Sequence, residues 1–517
     1  MMAKQTDPPK SSRPSTAVSS PREDDDSPNG PATAEAVGTV ADRDSRTPTS
    51  GTPAAADATP GTSRGTRRPG SLGLAGSMLS LLVLIAFSLV TVSVTAVSDR
   101  KLSQIDESAH IDSVFRAPDI VRTGEKMLPE TLGEISCRGG LEGMDFVPPP
   151  CGTYQAEPAE GYPVGGGGYN TADIHPPLYY DITKLAITVA GWFTDADPVT
   201  LMRLTGGFWL ALGACLTWLL ARRLGANRWA AFGVAAFMAA GFSVQEMSAI
   251  VNVDALVLPT GAAFALLALS VWRLRAVWWV LPLATVVVML VKMTNLAGLA
   301  VVCVFFVIRE ATRPLPNDVE PGLQSPSLRR WWSANGAGVL RALGVGVLVG
   351  AAAGITTLAW TAIRTARQLV PGDSLPIAQW FHIDHLGLDQ VGAQVFSFVA
   401  PTEFMPRGQV VGAVESEIVK VVALGVIVGL TVAAWFRDRR AFAALSASLT
   451  CLIVMPAAYV LMNYLLSGQF FTPWFRYGFS MMPFAFASIA AGVRHRATGI
   501  AAAAIGVVAM TSALVAL

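Results

Sequence analysis

Apolar and polar positions alternate on a scale set by a bilayer rather than by a soluble core. Runs of spanning length fall at roughly 74–97, 199–221, 229–248, 256–272, 337–361, 416–436, 441–465, 477–493 and 498–517. The stretch 277–309 is too long for one crossing and short for two, and Lys292 and Asn295 interrupt its middle. Arginines flank it: Arg273 and Arg275 before, Arg309 and Arg313 after. If both flanks lie on one side, it is two short helices with Lys292 near their tip, which predicts about eleven crossings. The segment at roughly 177–193 reads instead as an amphipathic helix lying along the membrane surface.

Between the runs, basic residues recur at every second connection: Arg67-Arg68, Arg222-Arg223-Arg228, Arg273-Arg275, Arg309 to Arg330, Arg437-Arg439-Arg440 and Arg494-Arg496. The positive-inside rule then places the N-terminus in the cytoplasm and the C-terminus outside. Two long loops, 98–198 and 362–415, fall on the outer side. Residues 1–72 are rich in Pro, Ser, Thr and Ala with almost no large apolar side chains, and read as a disordered cytoplasmic tail. No signal peptide heads the chain.

Composition agrees with this pattern. Of 517 residues, 52% are hydrophobic and only 15% charged, and the mean hydropathy is +0.46, against about 25% charged in a soluble domain. The expected class is an all-α polytopic membrane protein. A net charge of +1 with no basic arm excludes a nucleic-acid partner. The preference for Arg over Lys, with abundant Ala, Gly and Val, points to a high-GC bacterial source and hence a bacterial plasma membrane. Of five cysteines, Cys137 and Cys151 lie in the first outer loop, where an oxidising compartment allows them to pair. Cys215, Cys303 and Cys451 lie in apolar helices and read as packing residues. The Gly165–Gly168 run has no Lys-Ser/Thr helix behind it, so it reads as loop rather than phosphate cradle.

Candidate chemistry collects in four places. After the first helix comes Ser103-Gln104-Ile105-Asp106-Glu107-Ser108-Ala109-His110. Asp106 and His110 share a face at i, i+4 spacing and suit general-base work on a hydroxyl. Equally, Ser103 with Asp106 reads as a capping box at a helix start. Next is Asp173-Ile174-His175-Pro176-Pro177-Leu178-Tyr179-Tyr180, where the prolines force His175 into extended backbone and pre-set a helix start. The tyrosines also fit an interfacial anchor. Third, Gln245, Glu246, Asn252 and Asp254 cluster between two spans, with Lys292 and Asn295 at the hairpin tip. Lys292 either pairs with a carboxylate or phosphate, or snorkels. Fourth, His382, Asp384, His385, Glu403 and Arg407 occupy the second outer loop. His-x-Asp-His offers ligands to a divalent metal, but a solvated loop is the simpler reading, and no metal ligand is assigned. Arg476, in Thr472-Pro473-Trp474-Phe475-Arg476-Tyr477, suits a lipid phosphate or a snorkelling belt position. All of these fall on one face, as in an enzyme acting at one membrane surface. A transporter places polar groups near mid-membrane, with internal repeats.

These residues together resemble GT-C glycosyltransferases: an acidic Asp106-Glu107 pair opening a large outer loop, His175-Pro176-Pro177-Leu178-Tyr179-Tyr180 ahead of the second span, Asn252-x-Asp254, and late Arg476-Tyr477. The likeness is to bacterial multi-spanning members carrying Asp-Glu-x-x-His and His-Pro-Pro-Leu-Tyr-Tyr. More distantly, the chain is similar to protein O-mannosyltransferases and lipid A aminoarabinose transferases. The resemblance covers 73–517 and implies a GT-C-like bundle with a large first extracytoplasmic loop. It also implies transfer of a sugar from a polyprenyl-phosphate donor to an envelope glycan or lipid acceptor. By it, Asp106 is the catalytic residue with Glu107 as its adjacent alternative, and His110 belongs to the same group. His175, Tyr179, Glu246, Asn252 and Asp254 line the acceptor cavity, and Lys292 and Arg476 hold the donor phosphate. It needs no nucleotide, and a divalent metal is allowed but not required. The alternative is a polyprenyl-linked lipid or polysaccharide transporter, or a non-catalytic partner in envelope assembly.

Overall fold

The structure, a computed structural model, describes residues 71–517 except 99, 153–166, 275–276, 315–327, 396 and 399–412. The tail and the pair Glu403 and Arg407 therefore lie outside the described residues. Ser71–Leu517 is one compact unit. Its helices, in chain order, are α1 (Ser71–Ala96), α2 (Glu107–Arg116), α3 (Pro129–Cys137), α4 (Leu178–Ala190), α5 (Pro198–Leu224) and α6 (Arg228–Ala240). Then come α7 (Phe242–Ala249), α8 (Asp254–Leu274), α9 (Val280–Val291), α10 (Leu296–Ala311), α11 (Leu328–Arg367) and α12 (Pro376–Trp380). The last five are α13 (Leu388–Gly392), α14 (Ala413–Arg437), α15 (Arg439–Ser467), α16 (Met482–Gly492) and α17 (Arg496–Val515). Only isolated bridges such as Leu102–Leu141 join extended segments among the described residues.

Local chemistry sets the boundaries. The Asp197 side chain accepts from Thr200 N–H (3.0 Å) to cap α5 ahead of Pro198, and Gly225 closes the helix at φ 106°. Asn227 caps α6 by accepting from Ala230 N–H. His175 is extended (φ −95°, ψ 139°), as the prolines behind it dictate, and α4 starts at Leu178.

Among the described residues, seven helices are long and apolar enough to cross a membrane: α1, α5, α8, α10 with the turn before it, α11, α15 and α17. The pair α6–α7 is bent by 60° at Gly241 where the sequence predicts one straight span, and α9, α16 and the 421–437 part of α14 are apolar but shorter. Each predicted apolar run is thus a helix or a broken helix, in an all-helical multi-spanning membrane protein.

The core has two parts. The larger fills the bundle, with α1 on α5, α5 on α8, α10 on α15 and α17 on α6. The smaller, built from Leu102, Ile111, Leu132, Leu141, Tyr179 and Met202 among others, fills the segment between α1 and α5 and runs into the first turns of α5 and α8. The connection between α1 and α5 is therefore a folded cap on one end of the bundle.

Candidate functional site

The cap is pinned by two buried carboxylates. Asp112 accepts from Arg116, Asn170, Thr131 and Leu128 N–H, all within 2.9 Å. Glu107 accepts from Arg203 Nε (2.7 Å) and Nη2 (2.9 Å), from Ser103 N–H (2.7 Å) and from Val251 N–H (3.1 Å); neither it nor Arg203 is exposed. Its oxygens are occupied by these donors away from solvent, and it ties α2, α5 and the α7–α8 link together. Ser103 does not cap with Asp106 either. Its N–H goes to Glu107, and α2 begins without a side-chain cap.

That tie places Asp106. Its backbone is left-handed (φ 59°, ψ 7°), the one described non-glycine residue at positive φ. Its carbonyl accepts from His110 N–H, starting α2. Its half-exposed carboxylate accepts from Arg476 Nη2 (3.3 Å), and the opposite edge of that guanidinium, Nη1, lies 3.6 Å from Asp254 Oδ2. Asp254 is fully buried, and its other oxygen accepts from Lys292 Nζ. Asn252 holds the register: its Oδ1 accepts from Asp254 N–H (2.8 Å) and its Nδ2 donates to Ile105 O (3.4 Å). The result is a line of alternating charge, Asp106–Arg476–Asp254–Lys292, drawn from four segments far apart in sequence. Tyr477 lies against both cations, 5.3 Å from Lys292 Nζ and 5.5 Å from the Arg476 guanidinium, and Trp474 covers Arg476 from 5.3 Å. Burial opposes the charge of Arg476, but Asp254, Tyr477 and Asp106 outweigh it and hold its pKa above the usual guanidinium value. Arg476 Nε–H and Asp254 Oδ2 have no hydrogen-bond partner.

Beside this line, His110 and His175 stack with ring centroids 5.4 Å apart, and His110 Nδ1 is 2.9 Å from the Tyr180 hydroxyl. Asp106 and His110 thus adjoin through backbone, while their side chains take different partners. Burial first, then the charge of Lys292, keeps both imidazoles well below their usual pKa, hence neutral at neutral pH. Tyr179 is buried in the cap core. Asp173 accepts from Thr123 and from Arg364 Nη2 (2.8 Å), and Trp360 donates to Ile174 O, so the end of α11 fastens the His175 segment.

Two predicted groups lie apart. Glu246 sits 3.7 Å from Arg100 and lines a different cavity, with Glu142, that none of Asp106, Asp254, Lys292 or Arg476 borders. His382 and Asp384 are exposed, 3.9 Å apart; among the described residues no three His, Cys, Asp or Glu gather to hold a metal. Cys137 and Cys151 are joined as a disulfide, Cα atoms 4.4 Å apart. The sequence reading missed Arg203, Asp112 and Arg364. Arg203 carried a signal: a cation inside an apolar run requires a buried partner.

No family profile and no curated protein matches the chain. Among solved structures it is similar to ArnT from Cupriavidus metallidurans bound to undecaprenyl phosphate, at 17% identity and a TM-score of 0.42, over 82% of this chain. The chain spans 62% of that protein's length.

Proposed function

We propose that the protein is a GT-C type glycosyltransferase that moves a sugar from a polyprenyl-phosphate donor to a hydroxyl of an envelope acceptor, with the capped end of the bundle on the outer face of a bacterial plasma membrane. The observation that carries this reading is the charge line itself: a half-exposed carboxylate, Asp106, in contact with a nearly buried guanidinium that is anchored in turn by Asp254 and Lys292. In the reaction, an acceptor oxygen attacks the anomeric carbon while Asp106 takes its proton. The bond from that carbon to the phosphate oxygen breaks, and its electron pair leaves with the polyprenyl phosphate. Arg476 and Lys292 neutralise the charge that develops there, in surroundings dry enough to give that attraction weight. His110 and His175, held neutral, offer hydrogen bonds to sugar hydroxyls without adding repulsion against the two cations.

Charged residues of the spanning helices keep toward the ends, as with Asp254 and Arg273 in α8, Arg309 and Glu310 in α10, and Arg439 and Arg440 in α15. That distribution favours chemistry at a surface over a polar path through the bilayer.

The test is transfer from a panel of radiolabelled polyprenyl-phosphate sugars to envelope glycans, in membranes carrying wild type or Asp106→Asn. Transfer that depends on donor and is lost in the variant, with the variant still folded, supports the reading. Equal transfer by both proteins removes Asp106 from the mechanism.

A further inference from the structure

One large aromatic side chain stands open beside the charge line and has no part in the transfer step. Trp474, two residues ahead of Arg476, is 53% exposed. Other aromatics around this turn pair ring to ring: Phe381 with Phe471 (6.3 Å between centroids), Phe471 with Tyr477 (5.8 Å) and Phe475 with Phe479 (5.2 Å). Among the described residues Trp474 meets no other ring; what lies over its indole is the Arg476 guanidinium, at 5.3 Å. One face is thus taken by a cation that fixes the ring, and the other is open.

Backbone sets the placement. Buried Pro473 precedes Trp474, whose carbonyl accepts from Tyr477 N–H (3.0 Å) to open the 3₁₀ turn that carries Arg476. The same guanidinium donates to Asp106 (3.3 Å), whose side chain is 47% exposed. An accessible carboxylate and an accessible indole plate therefore flank one guanidinium.

A pyranose ring matches that pair. One of its faces is a plate of C–H groups, whose partial positive charge suits the negative face of an aromatic ring, and its rim is hydroxyls. Laid on the indole, the sugar buries its C–H face and turns a rim hydroxyl toward the carboxylate that takes its proton. A seryl or threonyl side chain has no flat face to lay there, and a lipid alcohol gains little from a plate that stands in water. We propose that Trp474 is the platform for the acceptor, and that the acceptor is a glycan whose receiving sugar stacks on the open indole face. The inference rests on the transferase reading and adds the acceptor class to it.

The test joins two measurements on the full-length protein. The first is transfer in membranes, from a polyprenyl-phosphate sugar, with varied concentrations of neutral oligosaccharides released from the envelope, of a Ser/Thr peptide or of diacylglycerol. The second is saturation-transfer NMR of the same oligosaccharides with the detergent-solubilised protein, which needs no turnover. Wild type is expected to transfer to the oligosaccharides. Trp474→Leu should raise the acceptor KM at least about tenfold and leave kcat and donor KM within about twofold, the scale of one aromatic contact. It should also weaken the NMR signal on the sugar C–H protons, and Trp474→Phe should restore most of both. An unchanged acceptor KM overturns the proposal. So does a raised donor KM in its place, which would mean that the ring only seats Arg476. Preference of wild type for the peptide or diacylglycerol overturns the acceptor class. Oligosaccharide binding that depends on Trp474 without transfer to any acceptor overturns the transferase reading and leaves the platform, whereas transfer indifferent to Trp474 does the reverse.

Discussion

Asp106 is held in backbone that an L residue seldom adopts, at the point where the cap meets Arg476. On the proposed reading, an incoming donor phosphate competes with the Asp106 carboxylate for the guanidinium edge that Asp106 now holds. Asp106→Asn is therefore expected to lower kcat by roughly 10²–10⁴-fold, the usual scale of general-base catalysis, without raising the donor KM. A raised KM with unchanged kcat would mean that Asp106 only binds. Glu107 behaves differently, because removing its charge strands Arg203 where there is no water. Glu107→Gln should destabilise the fold by about 3–5 kcal/mol, read as a large drop in melting temperature. The stacked imidazoles give a pH signature. Their folded pKa values are depressed, so below the unfolded value of about 6.5 the unfolded chain takes up protons that the folded chain refuses. Stability from this source is complete above about pH 6.5 and declines as pH falls toward the folded pKa values. Melting at pH 7.5 and 5.5 should show the decline, and His110→Gln with His175→Gln should flatten it.

At the scale of elements, the line of charge depends on how closely three segments approach. The 3₁₀ turn Phe475–Gly478 carries Arg476, and Ser480 just beyond it packs on Gly261 of α8 and Gly298 of α10, the helices whose starts bring Asp254 and Lys292. Gly298 N–H donates to Ser480 Oγ (2.9 Å). A Cβ at Gly261 would lie 1.9 Å from the Ser480 carbonyl oxygen, so only hydrogen fits there. Gly261→Ala should push the turn outward and cost most of the transfer activity while circular dichroism shows the helices intact; full activity would mean that the turn can shift without harm. Much of this architecture is legible in the sequence. Lys292 and Asn295 mark the break between α9 and α10 because a cation and an amide cannot sit mid-span without a partner. The sequence reading carries one span through Gly241, although Ser243, Gln245 and Glu246 follow it within the same run; packing of α16 and α17 on α6 accompanies the bend. Likewise Asp106, Asn252, Asp254, Lys292 and Arg476 stand out singly by residue type. That Glu107 belongs to Arg203, and Glu246 to a separate cavity, is a matter of distance across 96 and 146 residues of chain, which periodicity does not carry.

For the whole molecule, the long apolar helices among the described residues fix that the chain crosses a membrane many times, while its direction rests on where the arginines fall. Covalent chemistry supplies an independent gauge of direction. The cap that presents Asp106 also carries the Cys137–Cys151 bond, and such bonds persist in oxidising compartments and rarely in the cytosol. The thiol state of the cap is thus a compass for the bundle. In intact cells making a chain with Cys215, Cys303 and Cys451 replaced by alanine, a maleimide mass tag should add nothing until a reductant opens the bond, and then two tags. Tagging of both thiols without reductant would point the cap toward the cytosol and turn the membrane around it.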